Sequence, residues 1–233
     1  MTEPLSLNRQ QIAQLVARDI PEGAAVNLGI GMPTLVSDYL PDDREILLHS
    51  ENGILGMGPA ATGDAVDPDL INASRVAVTL IPGASITEHT ISFAMMRGGH
   101  LDYSILGGFQ VAANGDLANW MTDAPDAIPA IGGAMDLAVG ARNVLVMMEH
   151  TTKSGEPKLL EACAYPLTAA GVVDTVYTNW AIVDVKNGRF VLRSMVAGMT
   201  LDALQRSTGA RLWVEGGVET IVLDASGRAC IQS

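Results

Sequence analysis

The sequence of 233 residues carries a formal net charge of −12, with 48% hydrophobic, 17% charged and only 4% aromatic residues. Such a chain can bury a sizeable core of Val, Ile, Leu, Ala and Met, and its length fits one large α/β domain or two small ones at about 100–200 residues per domain. The acidic balance argues against a nucleic-acid partner, whose phosphates require clustered Lys and Arg, and no run approaches the ~18 consecutive apolar residues of a membrane span. Met1-Thr2-Glu3-Pro4 lacks the basic and apolar regions of a signal peptide. Cys163 and Cys230 show neither metal-ligand spacing nor a disulfide framework. A cytoplasmic protein with free thiols is expected.

In chain order, Ile12, Leu15, Val16 and Ile20 recur at helical spacing, and Asn8 with Gln11 three residues on predicts a cap for a helix over residues 8–20. Pro21-Glu22-Gly23 ends it. Strands are predicted at residues 24–28, 45–49, 75–81, 101–106, 143–148, 172–177, 180–185, 189–193 and 219–223. Helical patterns fall at 34–40, 87–96, 134–141 and 200–207. Alternating strands and helices imply an α/β fold, a largely parallel sheet flanked by helices. Lys186-Asn187-Gly188 between two apolar runs is a hairpin signal, so some antiparallel pairing is expected near the C-terminus. No repeat or linker interrupts the chain, and residues 1–233 read as one domain.

Two carboxylates close apolar strands. Ile46-Leu47-Leu48-His49-Ser50 leads to Glu51, and Val144-Leu145-Val146-Met147-Met148 leads to Glu149. Ligands of open α/β sheets collect at the carboxyl ends of strands, so either could face a cleft. Glu51 is followed by Asn52-Gly53-Ile54-Leu55-Gly56-Met57-Gly58-Pro59, with no basic residue. A partly desolvated carboxylate among glycines can act as a nucleophile, or it can simply cap its own turn. Glu149 adjoins His150 and Lys153, which are expected to pair with it and blunt it.

Ile131-Gly132-Gly133-Ala134 precedes a helical pattern. It reads either as a set of backbone amides for an oxyanion or as close packing of helix on sheet. Asn27-Leu28-Gly29-Ile30-Gly31-Met32-Pro33-Thr34 begins like a dinucleotide fingerprint, but Thr34 occupies the third glycine's place. The histidines His49, His89, His100 and His150 lack metal-site spacing and are expected to be structural or exposed. No G-x-S-x-G elbow is present.

The run Ser50-Glu51-Asn52-Gly53-Ile54-Leu55-Gly56-Met57-Gly58-Pro59 resembles that of the family I coenzyme A transferases, β-subunit type. Matching segments follow the family's order at 26–31, 69–73, 97–102, 115–120, 132–137 and 165–168. The resemblance implies that Glu51 attacks an acyl-CoA thioester and carries CoA as a glutamyl thioester in ping-pong double covalent catalysis. It implies that the backbone amide of Gly133 faces the oxyanion. It also suggests Gly29, Gly31, Asn52, Gly53, Gly107, Gln110 and Gly132 as supporting or substrate-binding positions. Neither a metal nor a tightly bound cofactor is implied, coenzyme A esters being the substrates.

The segment after Asn119-Trp120 departs from the acetoacetate-type pattern and resembles the 3-oxoadipate branch, as do residues 142–148 and 151–156. Succinyl-CoA and 3-oxoadipate are therefore the expected pair, with short-chain 3-oxo acids such as acetoacetate as the alternative. Asp123 and Asp126 in that segment must face away from a dicarboxylate. The family's α half carries a glycine-rich segment without counterpart here, which implies a separate α subunit in a heterotetramer or larger complex. Two readings of other classes are a ligand-sensing domain on the same fold and a sugar-phosphate isomerase, which would require more basic residues around the glycine loops.

Overall fold

The computed structural model describes residues 4–41, 43–124, 128–129 and 131–232. Helix α1 spans Arg9–Asp19, and its cap is the expected one. The Gln11 amide donates to Asn8 Oδ1 and the Asn8 amide to Gln11 Oε1, each at 2.9 Å, which satisfies two of the helix's orphan donors. Ile12, Leu15, Val16 and Ile20 are fully buried on one face.

The strands in chain order are β1 (Ala25–Leu28), β2 (Leu47–Ser50), β3 (Ile54–Ala60), β4 (Val78–Ile86), β5 (Tyr103–Gly107), β6 (Gln110–Ala112), β7 (Leu117–Ala118) and β8 (Asn143–Met147). They continue as β9 (Leu159–Leu160), β10 (Thr175–Tyr177), β11 (Ala181–Lys186), β12 (Arg189–Val196), β13 (Leu212–Trp213), β14 (Glu219–Leu223) and β15 (Ala229–Gln232). The remaining helices are α2 (His89–Arg97), α3 (Ala134–Gly140) and α4 (Leu201–Arg206).

Twelve strands form one sheet in the order β15-β14-β12-β11-β10-β8-β5-β1-β2-β3-β4, with β13 beside β12. Its centre, β10-β8-β5-β1-β2, is parallel throughout. The expected hairpin joins β11 and β12, with Lys186 opposite Arg189 and positive φ at Asn187 (52°) and Gly188 (71°). That is the geometry of a two-residue hairpin turn. Antiparallel pairing is not confined to the C-terminal part: β2-β3-β4 is antiparallel too. No strand was expected at β3, because glycine at alternate positions, Gly56 and Gly58, erases the period-two side-chain signal. A separate small sheet has the order β7-β6-β9.

Side chains alternate between two cores, as a sheet covered on both faces requires. Ile105, Leu145, Met147, Tyr177 and Ile182 face α1 and the 3-10 helix Met32–Tyr39. Leu106, Val144, Val146, Met148 and Val176 face Met96 of α2 and Leu137 of α3. The β1–β2 crossover runs on the first face and the β5–β8 crossover, with α3, on the second. The sheet's switch point therefore lies between β1 and β5, the place where such folds open a crevice.

Chemical denaturation separates the two contributions to α1. Asn8→Ala is expected to cost about 1 kcal/mol through the lost cap, and Ile12→Ala about 2–5 kcal/mol through the cavity it leaves.

Candidate active site

At the end of β2 the sequence places His49 and Ser50 in the buried layer, with Glu51 directly after them. Buried polar groups need partners, and His49 has two. Asn27 Nδ2 on the neighbouring β1 lies 2.9 Å from His49 Nδ1 and also donates to the His49 carbonyl. Ser92 Oγ on α2 lies 2.9 Å from His49 Nε2. An amide NH₂ only donates, so Nδ1 accepts and Nε2–H donates to Ser92. Burial lowers the His49 pKa to about 4, which keeps the ring neutral in this role. The network ties β1, β2 and α2 together beneath Glu51.

The turn after β2 is fixed equally firmly. Gly53 has φ 112°, its carbonyl accepts from the Thr87 amide at 2.8 Å, and the Asn52 side chain donates to the Ile71 carbonyl at 2.7 Å. Ser50 Oγ accepts from the Ala73 amide at 3.1 Å. Glu51 is left half-buried between these anchors. Burial raises its pKa, with a smaller opposing pull from His89. No hydrogen bond from the described residues contributes to that shift.

The N-terminus of α3 meets this carboxylate from the other side. A Cβ at Gly133 would collide with Glu51 Oε2 and stand 3.2 Å from Phe93 Cζ, so a side chain there would push the Glu51 carboxylate aside. The Gly133 carbonyl accepts from the Leu137 amide as part of α3, whereas its own N–H has no acceptor among the described residues. Among the described residues, a carboxylate without a hydrogen-bond partner thus packs on the Cα of a glycine whose amide has no acceptor.

Both border a cleft of about 580 Å³ at the carboxyl ends of β8, β5, β1 and β2. Of the positions singled out in the sequence, Glu51, Gly29, Gly107, Gly132 and Gly133 line it. Gly31, Asn52, Gly53 and Gln110 do not. Gly31 caps the 3-10 helix at φ 90°, and Gln110 Oε1 holds the amides of Ala164 and Tyr165 at 2.8 and 3.0 Å. Asp123 is exposed, and Asp126 lies outside the described residues.

Glu149 also borders the cleft, but the expectation that His150 and Lys153 neutralise it is overturned. His150 is fully buried between Thr178 and Thr208, at 3.0 and 2.9 Å from their hydroxyls. Burial, and then Lys158, lower its pKa to about 4. Lys153 is exposed and forms no ion pair among the described residues. The cation on which Glu149 acts is Lys158, five residues beyond Lys153 in the sequence. Sequence reading also missed Arg9, Phe109 and Lys158 in the lining, and the Asn27–His49–Ser92 network beneath it. A signal existed for the network: Asn and His inside apolar strand runs require buried partners. None existed for Arg9 or Lys158.

The coenzyme A transferase family model matches residues 9–207. The chain belongs to that family. It is 55% identical to the B subunit of 3-oxoadipate CoA-transferase from Acinetobacter baylyi, over 88% of this chain and 95% of that protein. It is 53% identical to the protein of the same name from Pseudomonas putida, over 91% of this chain and 99% of that one. Its fold is that of the acyl-CoA transferase YdiF apoenzyme from Escherichia coli O157:H7, with a TM-score of 0.72 at 19% identity. That alignment covers 95% of this chain but only 45% of the YdiF chain, so this chain spans about half the length of that protein.

The buried histidines make stability depend on pH. Both have a folded pKa of about 4 against the ordinary 6.5, so between those values the unfolded chain binds more protons. Their contribution is fully present above about pH 6.5 and is lost as pH falls toward 4, on the order of 3 kcal/mol for each group. Urea midpoints measured from pH 8 to pH 4 are expected to fall below pH 6.5, and His150→Gln to flatten part of that slope. Midpoints that rise over the same interval would refute neutral burial.

Proposed function

We propose that this chain is the B subunit of a 3-oxoadipate CoA-transferase and that Glu51 carries the CoA group. The observation that bears most weight is the half-buried Glu51 carboxylate, unpaired among the described residues and packed on the backbone of Gly133 in the switch-point cleft. The names of the relatives at 53–55% identity support the substrate.

The chemistry follows from these groups. A Glu51 oxygen attacks the thioester carbon of succinyl-CoA, and the tetrahedral oxyanion accepts a hydrogen bond from the Gly133 amide. The intermediate collapses, its C–S bond breaks, and CoA leaves as thiolate beside a succinyl-glutamyl anhydride. The thiolate then attacks the glutamyl carbonyl of the anhydride, which gives the Glu51–CoA thioester and free succinate. The carboxylate of 3-oxoadipate enters by the reverse sequence and departs as its CoA ester, with no net proton transfer. Desolvation raises the energy of the Glu51 anion, as it raises the pKa, and so favours attack on the carbonyl. The same chemistry would serve acetoacetate, and only the cleft's handling of a second carboxylate separates the two acids.

The names of the relatives also support a partner α subunit, and the YdiF chain of about twice this length is consistent with a second half of similar size. Purified alone, the chain is expected to show little transfer, and addition of the α subunit to restore it. Full activity of the isolated chain would contradict the two-subunit reading.

In the reconstituted complex, Glu51→Gln is expected to abolish CoA exchange between succinyl-CoA and 3-oxoadipate. Gly133→Ala keeps the backbone N–H but puts a methyl where Glu51 Oε2 lies, so it is expected to displace the carboxylate and lower kcat on the order of 10²-fold, the cost of misplacing a reacting group by about an ångström. His89 opposes the burial of Glu51, so His89→Ala is expected to move the acid limb of kcat/KM to higher pH. An acid limb that moves downward would remove Glu51 as the titrating group.

A further inference from the structure

The cleft contains four charged side chains, Arg9, Glu51, Glu149 and Lys158, and only the role of Glu51 follows from the chemistry above. Succinyl-CoA and 3-oxoadipate each carry a carboxylate that does not react. Acetoacetyl-CoA has none. We propose that Lys158 holds this distal carboxylate and is the residue by which the cleft selects dicarboxylic acyl groups. The inference deepens the 3-oxoadipate reading and rests on it.

The position of Lys158 is rigid. Its amide donates to the His150 carbonyl at 3.2 Å and its carbonyl accepts from the Val111 amide at 3.0 Å, directly before β9 in the small sheet. The backbone therefore aims the side chain along one path. Its Nζ donates to the Gly108 carbonyl at 3.0 Å. An ammonium has three donors, and only this one has a partner among the described residues. None of the ion pairs among the described residues includes Lys158. Glu149, the acidic group that acts on it, is exposed and forms no ion pair with it. A half-buried cation held by one neutral carbonyl lacks the counter-ion that burial requires. Burial lowers the Lys158 pKa, with Glu149 opposing, which has the same origin.

The spacing suits a diacid. Gly108 follows the end of β5 and Glu51 the end of β2, and β1 lies between those strands. The two ends are thus two interstrand spacings apart, about 10 Å. Arg9, the other cation of the lining, stands exposed on the first residue of α1, without a fixed partner among the described residues. A bound carboxylate at Lys158 would sit in the interior of the cleft, and one at Arg9 near solvent, where ion pairs contribute little.

The test uses the complex with the α subunit and Glu51→Gln to stop the reaction, so that binding is read without turnover. Dissociation constants are measured for succinyl-CoA and acetoacetyl-CoA. Adding Lys158→Gln keeps a donor for Gly108 and removes the charge. It is expected to weaken succinyl-CoA about thirtyfold or more, the usual consequence of deleting one partner of a buried ion pair, and to leave acetoacetyl-CoA within about threefold. Lys158→Arg is expected to restore much of the preference. In the active complex Lys158→Gln should lower kcat/KM for 3-oxoadipate, with circular dichroism and assembly unchanged. Equal weakening of both esters would make Lys158 a structural tether and overturn the proposal. Unchanged succinyl-CoA binding would overturn it too, as would a loss that appears with Arg9→Gln instead. Failure of the Glu51 reading is separately visible, because transfer would then survive Glu51→Gln.

Discussion

The site depends on one close approach, the backbone of Gly133 against the carboxylate of Glu51. A Cβ at Gly133 would occupy the place of Oε2, so a side chain there would displace the carboxylate. The contact is long-range in the chain and short in space, and it requires that the end of β2 and the start of α3 be set independently and accurately. The fold does this from two sides of one sheet. β2 is placed by its parallel pairing with β1, and α3 by packing Leu137 and Ala138 on the opposite face from α1. A displacement of either element by about an ångström would either clash or leave a gap, and positioning errors of that size cost large factors in rate.

Beneath the carboxylate the structure uses neutral polar groups instead of charges. His49, shared between Asn27 and Ser92, fastens two strands and a helix without adding a cation next to Glu51. A protonated ring there would set Nδ1–H against the Asn27 NH₂ and would also stabilise the carboxylate, which would blunt it in the nucleophilic role proposed for it. The charge that acts on Glu51 is instead His89, at the start of α2. His150 plays a comparable structural part beside Glu149, bonded to two threonine hydroxyls. Two strand-end carboxylates thus rest on two buried neutral imidazoles. Only Glu51 faces the backbone of Gly133, and only Glu149 has a lysine nearby.

The central sheet was legible because its strands are apolar runs of β-branched and aliphatic residues, and α1 because its cap and its stripe agree. The N-terminal edge was not. β3 presents glycine at Gly56 and Gly58, so its pairing with β2 and β4 left no alternation to read. Glu51 could be seen in the sequence as one of two carboxylates at strand ends, and the ordered family segments distinguished it from Glu149. The separation that physical reading offered, neutralisation of Glu149 by its sequence neighbours, was wrong in detail. Side chains adjacent in an extended chain point to opposite faces, so His150 turned into the core. Lys158 carried no local mark, because its place in the cleft comes from the pairing of β6 with β9. Gln110, singled out as a supporting or substrate-binding position, accepts from the amides of residues 164 and 165 through its Oε1.

The most direct measurement is the location of the covalent intermediate. The complex of this chain with its α subunit is incubated with succinyl-CoA, reduced with borohydride, digested and mapped by mass spectrometry. The account predicts reduction of a single glutamyl thioester, on the peptide containing Glu51, converting that side chain to the alcohol. Pretreatment with hydroxylamine should abolish the signal. An adduct on Glu149, on a cysteine or on no residue of this chain, with transfer still proceeding, would contradict it.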